Sequence, residues 1–298
     1  MRYRLLLILL WLPMLLSAEP PKKVTLQVLG SGGPELTDKR ASASYLVWVD
    51  DKARFLVDFG GGASLRFEES GASVEDIDAV LLTHLHIDHT SDLPALIKGA
   101  FFSDRKRDLP IYGPEGNDVM PSTSAFLFRL FESGKGAWEY MGDFLDGRAA
   151  FTLKPNDIPD TRSPLTLFSE NNISVEAVSV HHGPIPAVAY RINVGEKSIT
   201  FSGDMNGSYH TLEKLAKGTD ILVMHNAVPK GATGVAAQLH MTPRSIGEIA
   251  AAANPKILIL SHRMMRTIGK ELETIAEIRK YYKGKIKFAD DGNRFLAL

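Results

Sequence analysis

Short apolar runs rich in Val, Ile and Leu recur along the chain and predict β-strands. We place these strands at 24–29, 45–49, 55–57, 79–82, 174–180, 187–194, 199–201, 221–223 and 257–260. Segments with the 3.6-residue period of an amphipathic helix lie between several strands, at 92–100, 122–132, 209–217, 242–253 and 271–282. The first half is strand-rich with tight glycine turns, and the second half alternates strand with helix. This order favours an α+β fold with a two-layer sheet core covered by helices over a purely parallel sheet.

The segment 101–172 departs from this regularity. Its hydrophobic periodicity is weaker, and it carries several aromatic residues, namely Phe101, Phe102, Trp138, Tyr140 and Phe144. A stretch of this length without clear periodicity is typical of a functional loop region. We therefore predict that 101–172 is an insertion or a lid on the main domain.

Composition narrows the possible chemistry. The 34 basic residues nearly balance the 35 acidic ones, and 44% of residues are hydrophobic, which is the profile of a globular protein. The chain contains no cysteine. This excludes disulfides, thiolate zinc sites and a cysteine nucleophile, so any metal must be bound by His, Asp or Glu.

The first 18 residues have the pattern of a signal peptide. Arg2 and Arg4 precede a largely apolar run at 5–16, which ends in Ser17 and Ala18. The run is short for a helix that crosses a bilayer core of about 30 Å, although a retained anchor stays open as the alternative. We expect an exported protein, periplasmic or secreted, whose mature domain spans 19–298 and does not insert stably into a membrane. The mature domain has a small excess of acidic over basic residues, so its net charge provides no general attraction for nucleic acid.

The strongest chemical signal follows the predicted strand 79–82. Residues 84–89 contain four side chains of the metal-ligand type: His84, His86, Asp88 and His89. These four cannot all share one face of a strand or helix, so a loop at the strand end must bring them together. Three of the nine histidines fall in this stretch, which argues against a polar loop that is histidine-rich by chance.

This motif resembles the HxHxDH signature of the metallo-β-lactamase superfamily. The resemblance implies an αββα sandwich and a centre of two divalent ions, with zinc expected and manganese or iron also compatible with these ligands. It implies further ligands at later strand ends, and His182, Asp204 and His262 occupy such positions. The implied set is His84, His86 and His182 for one ion, Asp88, His89 and His262 for the other, and Asp204 shared by both. A bridging aspartate resembles the phosphodiesterase, thioesterase and lactonase branches.

Three further motifs resemble ribonuclease Z and its relatives: 29–34 with Arg40, 182–191, and 240–243. The second motif selects His182 as the ligand and leaves its neighbour His181 a weaker site candidate. The resemblance implies that His240 helps to protonate the leaving group, and we assign catalytic roles to Asp88 and His240. A simple helix-entry position is the alternative for His240. Asp58 matches a position that braces the metal loop, whereas His210 and His225 match no ligand motif.

The chain also departs from ribonuclease Z. Only 21 residues separate His182 from Asp204, which leaves no room for the long arm with which that family grips transfer RNA. The family's His-Glu-Ala-Thr motif reads His225-Asn226-Ala227-Val228 here. A neutral amide thus replaces the glutamate that partners the catalytic histidine, and a proton relay through His240 is expected to be weaker or rearranged.

The sequence as a whole predicts a dinuclear metal-dependent hydrolase of ester-type bonds. Two metals can clamp both oxygens of an in-line displacement, and a metal-bridging hydroxide is a nucleophile at neutral pH. We therefore expect a phosphodiesterase acting on a small-molecule or short phosphodiester substrate, and not on transfer RNA. Lactone, thioester, sulfate ester or β-lactam hydrolysis is the alternative, followed by a metal-binding relative without enzymatic activity. The substrate and the oligomeric state stay open.

Overall fold

The computed structural model describes residues 22–298, so the predicted signal peptide at 1–18 lies outside the described residues. Fourteen strands are formed in this part of the chain: β1 (Val24–Gly30), β2 (Ser44–Val49), β3 (Lys52–Phe59), β4 (Ala79–Leu81), β5 (Leu109–Pro114), β6 (Leu153–Ile158), β7 (Leu165–Glu170), β8 (Ile173–His182), β9 (Ile185–Val194), β10 (Lys197–Phe201), β11 (Ile221–His225), β12 (Ile257–Ser261), β13 (Lys285–Phe288) and β14 (Arg294–Leu296).

Nine α-helices are formed in residues 22–298, several of them only one turn long: α1 (Ala63–Ser70), α2 (Ile87–Thr90), α3 (Leu93–Ala100), α4 (Thr123–Phe131), α5 (Asp143–Asp146), α6 (Leu212–Leu215), α7 (Gly234–Leu239), α8 (Pro243–Ala253) and α9 (Glu271–Ile278). Within these residues no helix combines the length and the apolar character needed to cross a membrane.

The strands form two seven-stranded sheets. The first has the order β14-β1-β2-β3-β4-β5-β6, and β3 to β6 run parallel. The second has the order β13-β12-β11-β10-β9-β8-β7, and β10 to β13 run parallel. Because parallel strands have their carboxyl ends at the same edge of a sheet, each sheet carries one edge at which several loops meet.

Three apolar clusters hold the layers together. The inner faces of both sheets form the central cluster, which includes Tyr45, Phe55, Tyr190 and Phe201. A second cluster packs α1, α3 and α4 on the outer face of the first sheet, and a third packs α6, α8 and α9 on the outer face of the second. This order of layers is the predicted αββα sandwich, and the fold prediction is confirmed.

The segment 101–172 is largely woven into the sheets. It supplies β5 and β6 to the first sheet and β7 to the edge of the second. Phe144 is buried with the residues that cover the first sheet, whereas Phe101, Phe102 and Tyr140 are exposed. Its weak periodicity arises because β6 and β7 alternate poorly between buried and exposed positions. A lid role for any part of this segment stays a prediction.

Candidate metal centre

Histidine and aspartate side chains gather where the strands end. The loop after β4 carries His84 to His89, β8 ends at His182, and β11 ends at His225. Asp204 follows β10 by three residues and His262 follows β12 directly. Since β10, β11 and β12 are parallel neighbours, their last residues meet at one edge. The sheet topology alone therefore brings residues that are far apart in sequence into one cluster.

The first group consists of three histidines. Nε2 of His84 lies 3.1 Å from Nδ1 of His86, and Nε2 of His182 lies 3.4 Å from the same atom. His84 and His182 are buried, and His86 is partly exposed at the mouth of the site. These three side chains offer nitrogens close enough to one another to bind one ion.

The second group combines histidine with carboxylate. Oδ2 of Asp88 lies 3.1 Å from Nε2 of His262 and 3.5 Å from Nε2 of His89. All three side chains are buried. His262 has a positive φ of 50°, an uncommon conformation for a residue other than glycine. This backbone conformation occurs directly after β12, at the residue whose imidazole contacts Asp88.

Asp204 lies between the two groups. Its Oδ2 atom is 3.8 Å from Nε2 of His182 in the first group. The same atom is 3.5 Å from Nε2 of His262 and 3.9 Å from Nε2 of His89 in the second group. One carboxylate oxygen thus faces nitrogens of both groups, which is the position that a shared ligand requires.

His225 belongs to this cluster although the sequence motifs gave it no role. Its Nδ1 donates to Oδ1 of Asp204, and its ring stacks on His262 with centroids 4.8 Å apart. On the other side, the hydroxyl of Tyr45 lies 3.4 Å from Nε2 of His225. Only the strand order could have revealed this position. Strands β11 and β12 are parallel neighbours, and His225 at the end of β11 lies opposite Ser261, the residue directly before His262.

In two of the histidines, the ring nitrogen that faces away from the site, Nδ1, donates a hydrogen bond to the protein. Nδ1 of His182 donates to the carbonyl oxygen of Leu239 at 2.9 Å, and Nδ1 of His89 donates to Oδ2 of Asp58 at 2.8 Å. Asp58 also accepts from the backbone N–H and the hydroxyl of Thr83, at 2.7 and 2.8 Å. Such bonds fix the tautomer of the neutral imidazole, so that Nε2 is the nitrogen that faces the site and can bind an ion.

The two groups differ in their proton affinity. Burial lowers the pKa of His84 well below its usual value and also lowers the pKa of His86 and His182. Burial acts in the same direction on His89, but Asp88 and Asp58 outweigh it and raise the pKa of His89 to about 10. The pKa of His262 is raised for a similar reason, since Asp204 and Asp88 oppose the effect of burial.

The donor set fits divalent ions. Two nitrogens bound at 2.0–2.1 Å to a tetrahedral ion lie about 3.3 Å apart, and the separations within the first group are close to this value. In residues 22–298, the buried Nε2 of His89 has no hydrogen-bond partner, although it points at two carboxylates. Neighbouring histidines lower the pKa of Asp88 and Asp204 against the effect of burial, so both are ionised and suited to bind a cation.

His240 lies beside the cluster. Its Nδ1 is 3.5 Å from Oδ2 of Asp204, and burial lowers its pKa to about 4. The ring is therefore neutral near pH 7. Asn226 is fully buried, and neither atom of its amide has a hydrogen-bond partner within residues 22–298. Asn226, which stands where the predicted His-Glu-Ala-Thr motif has glutamate, is thus a buried amide without a partner in the described part of the chain.

The two remaining histidines lie away from the ligand groups. The ring of His181 packs edge-on against Tyr209, with centroids 4.9 Å apart, on the opposite face of β8 from His182. His210 is exposed and lies 3.2 Å from Glu213. The structure therefore brings together all seven residues that the resemblance implied as ligands, adds His225 beside Asp204, and leaves His181 outside.

Comparison with known proteins agrees with this geometry. The model of the beta-lactamase superfamily domain matches residues 54–263. A ribonuclease Z from Mycobacterium sp. (strain KMS) is 27% identical over 283 residues, which cover 91% of this chain and 95% of that protein.

Two solved structures show the same fold. The metallo-beta-lactamase fold protein YhfI from Bacillus subtilis superposes with a TM-score of 0.70 at 21% identity, covering 92% of this chain and 99% of that one. The human tRNase Z, short form, superposes with a TM-score of 0.71 at 20% identity and the same coverage. Because the family model spans more than half of its residues, the chain belongs to the beta-lactamase superfamily, and it resembles ribonuclease Z within it.

Proposed function

We propose that this member of the beta-lactamase superfamily is a phosphodiesterase that uses two divalent ions. Zinc is the metal that we expect. A metal-dependent hydrolase of ester-type bonds is supported by the family, by the relatives and by the ligand cluster. The finer proposal assigns His84, His86 and His182 to one ion and Asp88, His89 and His262 to the other. Asp204 is the ligand that both ions share.

A single observation carries the dinuclear proposal. Oδ2 of Asp204 lies within 3.9 Å of nitrogens from both histidine groups, while its other oxygen is held by His225. The bond from His225 orients this carboxylate so that Oδ2 faces both groups. When bound, a pair of divalent ions supplies Lewis acidity and activates water near neutral pH. The protein's own contribution is to keep the three histidines of the first group neutral, to keep Asp88 and Asp204 ionised, and to hold the ligands in position.

His240 is the residue we assign to the leaving group. It is neutral near pH 7, and one of its nitrogens faces Asp204. A neutral imidazole can donate a hydrogen bond to a departing oxygen without carrying a full charge. The unpaired amide of Asn226 supplies no charge that would raise the pKa of His240 toward neutrality, so we propose a weaker proton donor here than a histidine paired with glutamate.

Small or short substrates suit the chain better than transfer RNA. Between His182 and Asp204 the chain forms only β9, the turn at Gly195 and Glu196, and β10, and all of these strands are part of the second sheet. The resemblance to ribonuclease Z supports a phosphodiester as the bond that is cleaved. The segment between His182 and Asp204 does not form the protruding arm that holds a large RNA in that family.

The test is a comparison of substrate classes on purified, zinc-supplemented protein. We expect turnover of bis(4-nitrophenyl) phosphate to exceed that of a chromogenic lactone, a β-lactam, a thioester and 4-nitrophenyl sulfate in kcat/KM. His240→Gln should lower kcat on the phosphodiester with little effect on metal content. A clear preference for the lactone, the β-lactam or the thioester would contradict the phosphodiesterase proposal and leave the broader hydrolase assignment in place.

Export of the protein, to the periplasm or the medium, stays a proposal based on the pattern of residues 1–18. Amino-terminal sequencing of the protein from fractionated cells tests it. A mature chain that begins near residue 19 outside the cytoplasm is expected, and a chain that keeps residues 1–18 in the cytoplasm would contradict it.

A further inference from the structure

A partly buried arginine lies beside the metal centre without an acidic partner. Arg266 follows His262 by four residues in the loop after β12. Its Nε donates to the carbonyl oxygen of Ala227 at 2.6 Å, and its Nη2 lies 3.1 Å from Sδ of Met264. Within residues 22–298 it forms no salt bridge, and its Nη1 has no hydrogen-bond partner. The Nη1 group of this guanidinium is therefore left without a protein acceptor in the described residues.

Other shielded arginines of the chain are used differently. Arg263, three residues away, pairs with Glu271 and Asp290. Arg105 gives three hydrogen bonds to backbone carbonyls, and Arg191 gives two. A guanidinium has five N–H donors, and one that is partly shielded from water normally finds acceptors for them. Compared with these arginines, Arg266 is held by fewer bonds, through Nε and Nη2, and its remaining N–H donors are free for a ligand.

Contacts place Arg266 at the edge of the ligand cluster. Met264, on which the guanidinium rests, lies against Gly33, because a Cβ atom added at Gly33 would be 3.2 Å from Cγ of Met264. The same added atom would be 2.8 Å from Cε1 of His262. Arg266 thus contacts a methionine side chain that lies, with His262, against Gly33.

A second contact ties Arg266 to the other side of the site. Ala227, which accepts from its Nε, follows His225 by two residues. The positive charge of Arg266 also adds to the effect of burial in lowering the pKa of His240. The guanidinium therefore lies within electrostatic reach of the residue that we assign to the leaving group.

We propose that Arg266 binds an anionic oxygen of the substrate and thereby selects esters that carry a negative charge over neutral esters. Phosphodiesters and sulfate esters share the tetrahedral oxyanion that a guanidinium recognises with two parallel hydrogen bonds. Lactones, thioesters and 4-nitrophenyl acetate lack this charge. The inference rests on the proposed function, since it names the feature by which a hydrolase of this kind distinguishes its substrate.

The experiment compares Arg266→Gln and Arg266→Lys with the control Arg244→Gln. Arg244 is exposed on α8 and pairs with Glu248, so the control removes the same charge outside the site. For bis(4-nitrophenyl) phosphate and 4-nitrophenyl sulfate, Arg266→Gln should raise KM about tenfold or more, with a smaller change in kcat. Arg266→Lys should recover part of the loss, and 4-nitrophenyl acetate should be hydrolysed equally by all variants. The ratio of the phosphate and sulfate effects shows which oxyanion the site prefers.

Binding of inorganic phosphate and of sulfate to the zinc-loaded proteins, measured by titration calorimetry, gives a readout that needs no turnover. We expect Arg266→Gln to bind at least one of these anions about tenfold more weakly than the wild type and Arg244→Gln to bind like the wild type, at unchanged zinc content. If the wild type cleaves no phosphodiester but this difference is found, the proposed function fails and the role of Arg266 stands. Equal anion binding by all variants, or an equal loss on charged and neutral esters, overturns the role of Arg266.

Discussion

His225 donates from Nδ1 to Oδ1 of Asp204 and so holds this carboxylate with its second oxygen toward the two histidine groups. Burial lowers the pKa of His225, which keeps the ring neutral and able to donate one hydrogen bond. The ring is in turn packed between Tyr45 and His262. The orientation of the proposed shared ligand is therefore set by a residue that the HxHxDH motif does not contain.

His225→Ala should weaken metal binding without removing one of the proposed ligands. Bonds that orient a metal ligand typically contribute 10- to 100-fold to metal affinity, and a loss of about this size is expected. Competition with a chromogenic chelator measures it. His210→Ala is the matched control, because His210 is exposed and, among residues 22–298, its side chain pairs only with Glu213. Equal affinities of the two variants would show that His225 does not position Asp204.

Adjacent histidines at the end of β8 should behave oppositely. Side chains alternate across a strand, and here His182 points into the cluster while His181 packs on Tyr209. We expect His182→Ala to lose the ion of the first group and nearly all turnover, whereas His181→Ala keeps both ions and changes activity modestly. Metal analysis and kinetics of both variants decide this. A His181→Ala protein that loses an ion while His182→Ala keeps both would reverse the assignment.

The two groups should differ in how their metal affinity depends on pH. The lowered pKa values of His84, His86 and His182 mean that these ligands are already neutral near pH 7, so binding there releases few protons. His89, with its pKa raised to about 10, must lose a proton when its Nε2 binds an ion. Affinity of the second group should therefore rise with pH between about 6 and 9, by up to tenfold per pH unit for each proton released.

Calorimetry in buffers of different ionisation enthalpy measures these protons directly. We expect about one proton or more for the second ion and almost none for the first at neutral pH. As the pH falls from about 8 to 6, the second ion should be lost before the first. Loss of both ions in parallel over this range would contradict the difference between the groups.

Asp58→Asn tests the support of His89 without a large change in shape. Asp58 has a positive φ of 55°, a conformation that asparagine tolerates well, so the fold should persist. The amide cannot accept the bonds from His89 and Thr83 as a carboxylate does, and the tautomer of His89 is no longer fixed. We expect 10- to 100-fold weaker binding of the second ion. An affinity equal to that of the wild type would show that Asp58 serves only the loop.

The sequence predicts the strands of the core closely, because their apolar runs are buried on both faces. β2 and β12, for example, are buried at every position. It does not reveal β13 and β14, which lie at sheet edges and alternate between exposed and half-buried residues. An edge strand has one unpaired side and little apolar surface, so its pattern is weak. Helix α1 is missed for a related reason, since Ala63 is its only fully buried residue.

Some residues of the candidate site can likewise be predicted from the sequence, and others cannot. His84 to His89 are contiguous and form a motif, so the sequence identifies them at once. Arg266 carries no local signal, and the motif that includes His225 does not show that this residue contacts Asp204. Their positions in the site depend on which strands are neighbours and on where each strand ends. Topology is a property of the whole chain, and it becomes visible only in the folded structure.

The number of ions bound per chain tests the dinuclear site most directly. Elemental analysis of zinc-supplemented protein, after dialysis at about pH 8, should give about two ions per chain for the wild type. Asp204→Asn keeps the size of the side chain but removes the charge that faces both groups, and it should retain at most one ion with loss of turnover. A wild-type protein that binds one ion or none, or an Asp204→Asn variant that is active and binds two, would contradict a dinuclear centre shared through Asp204.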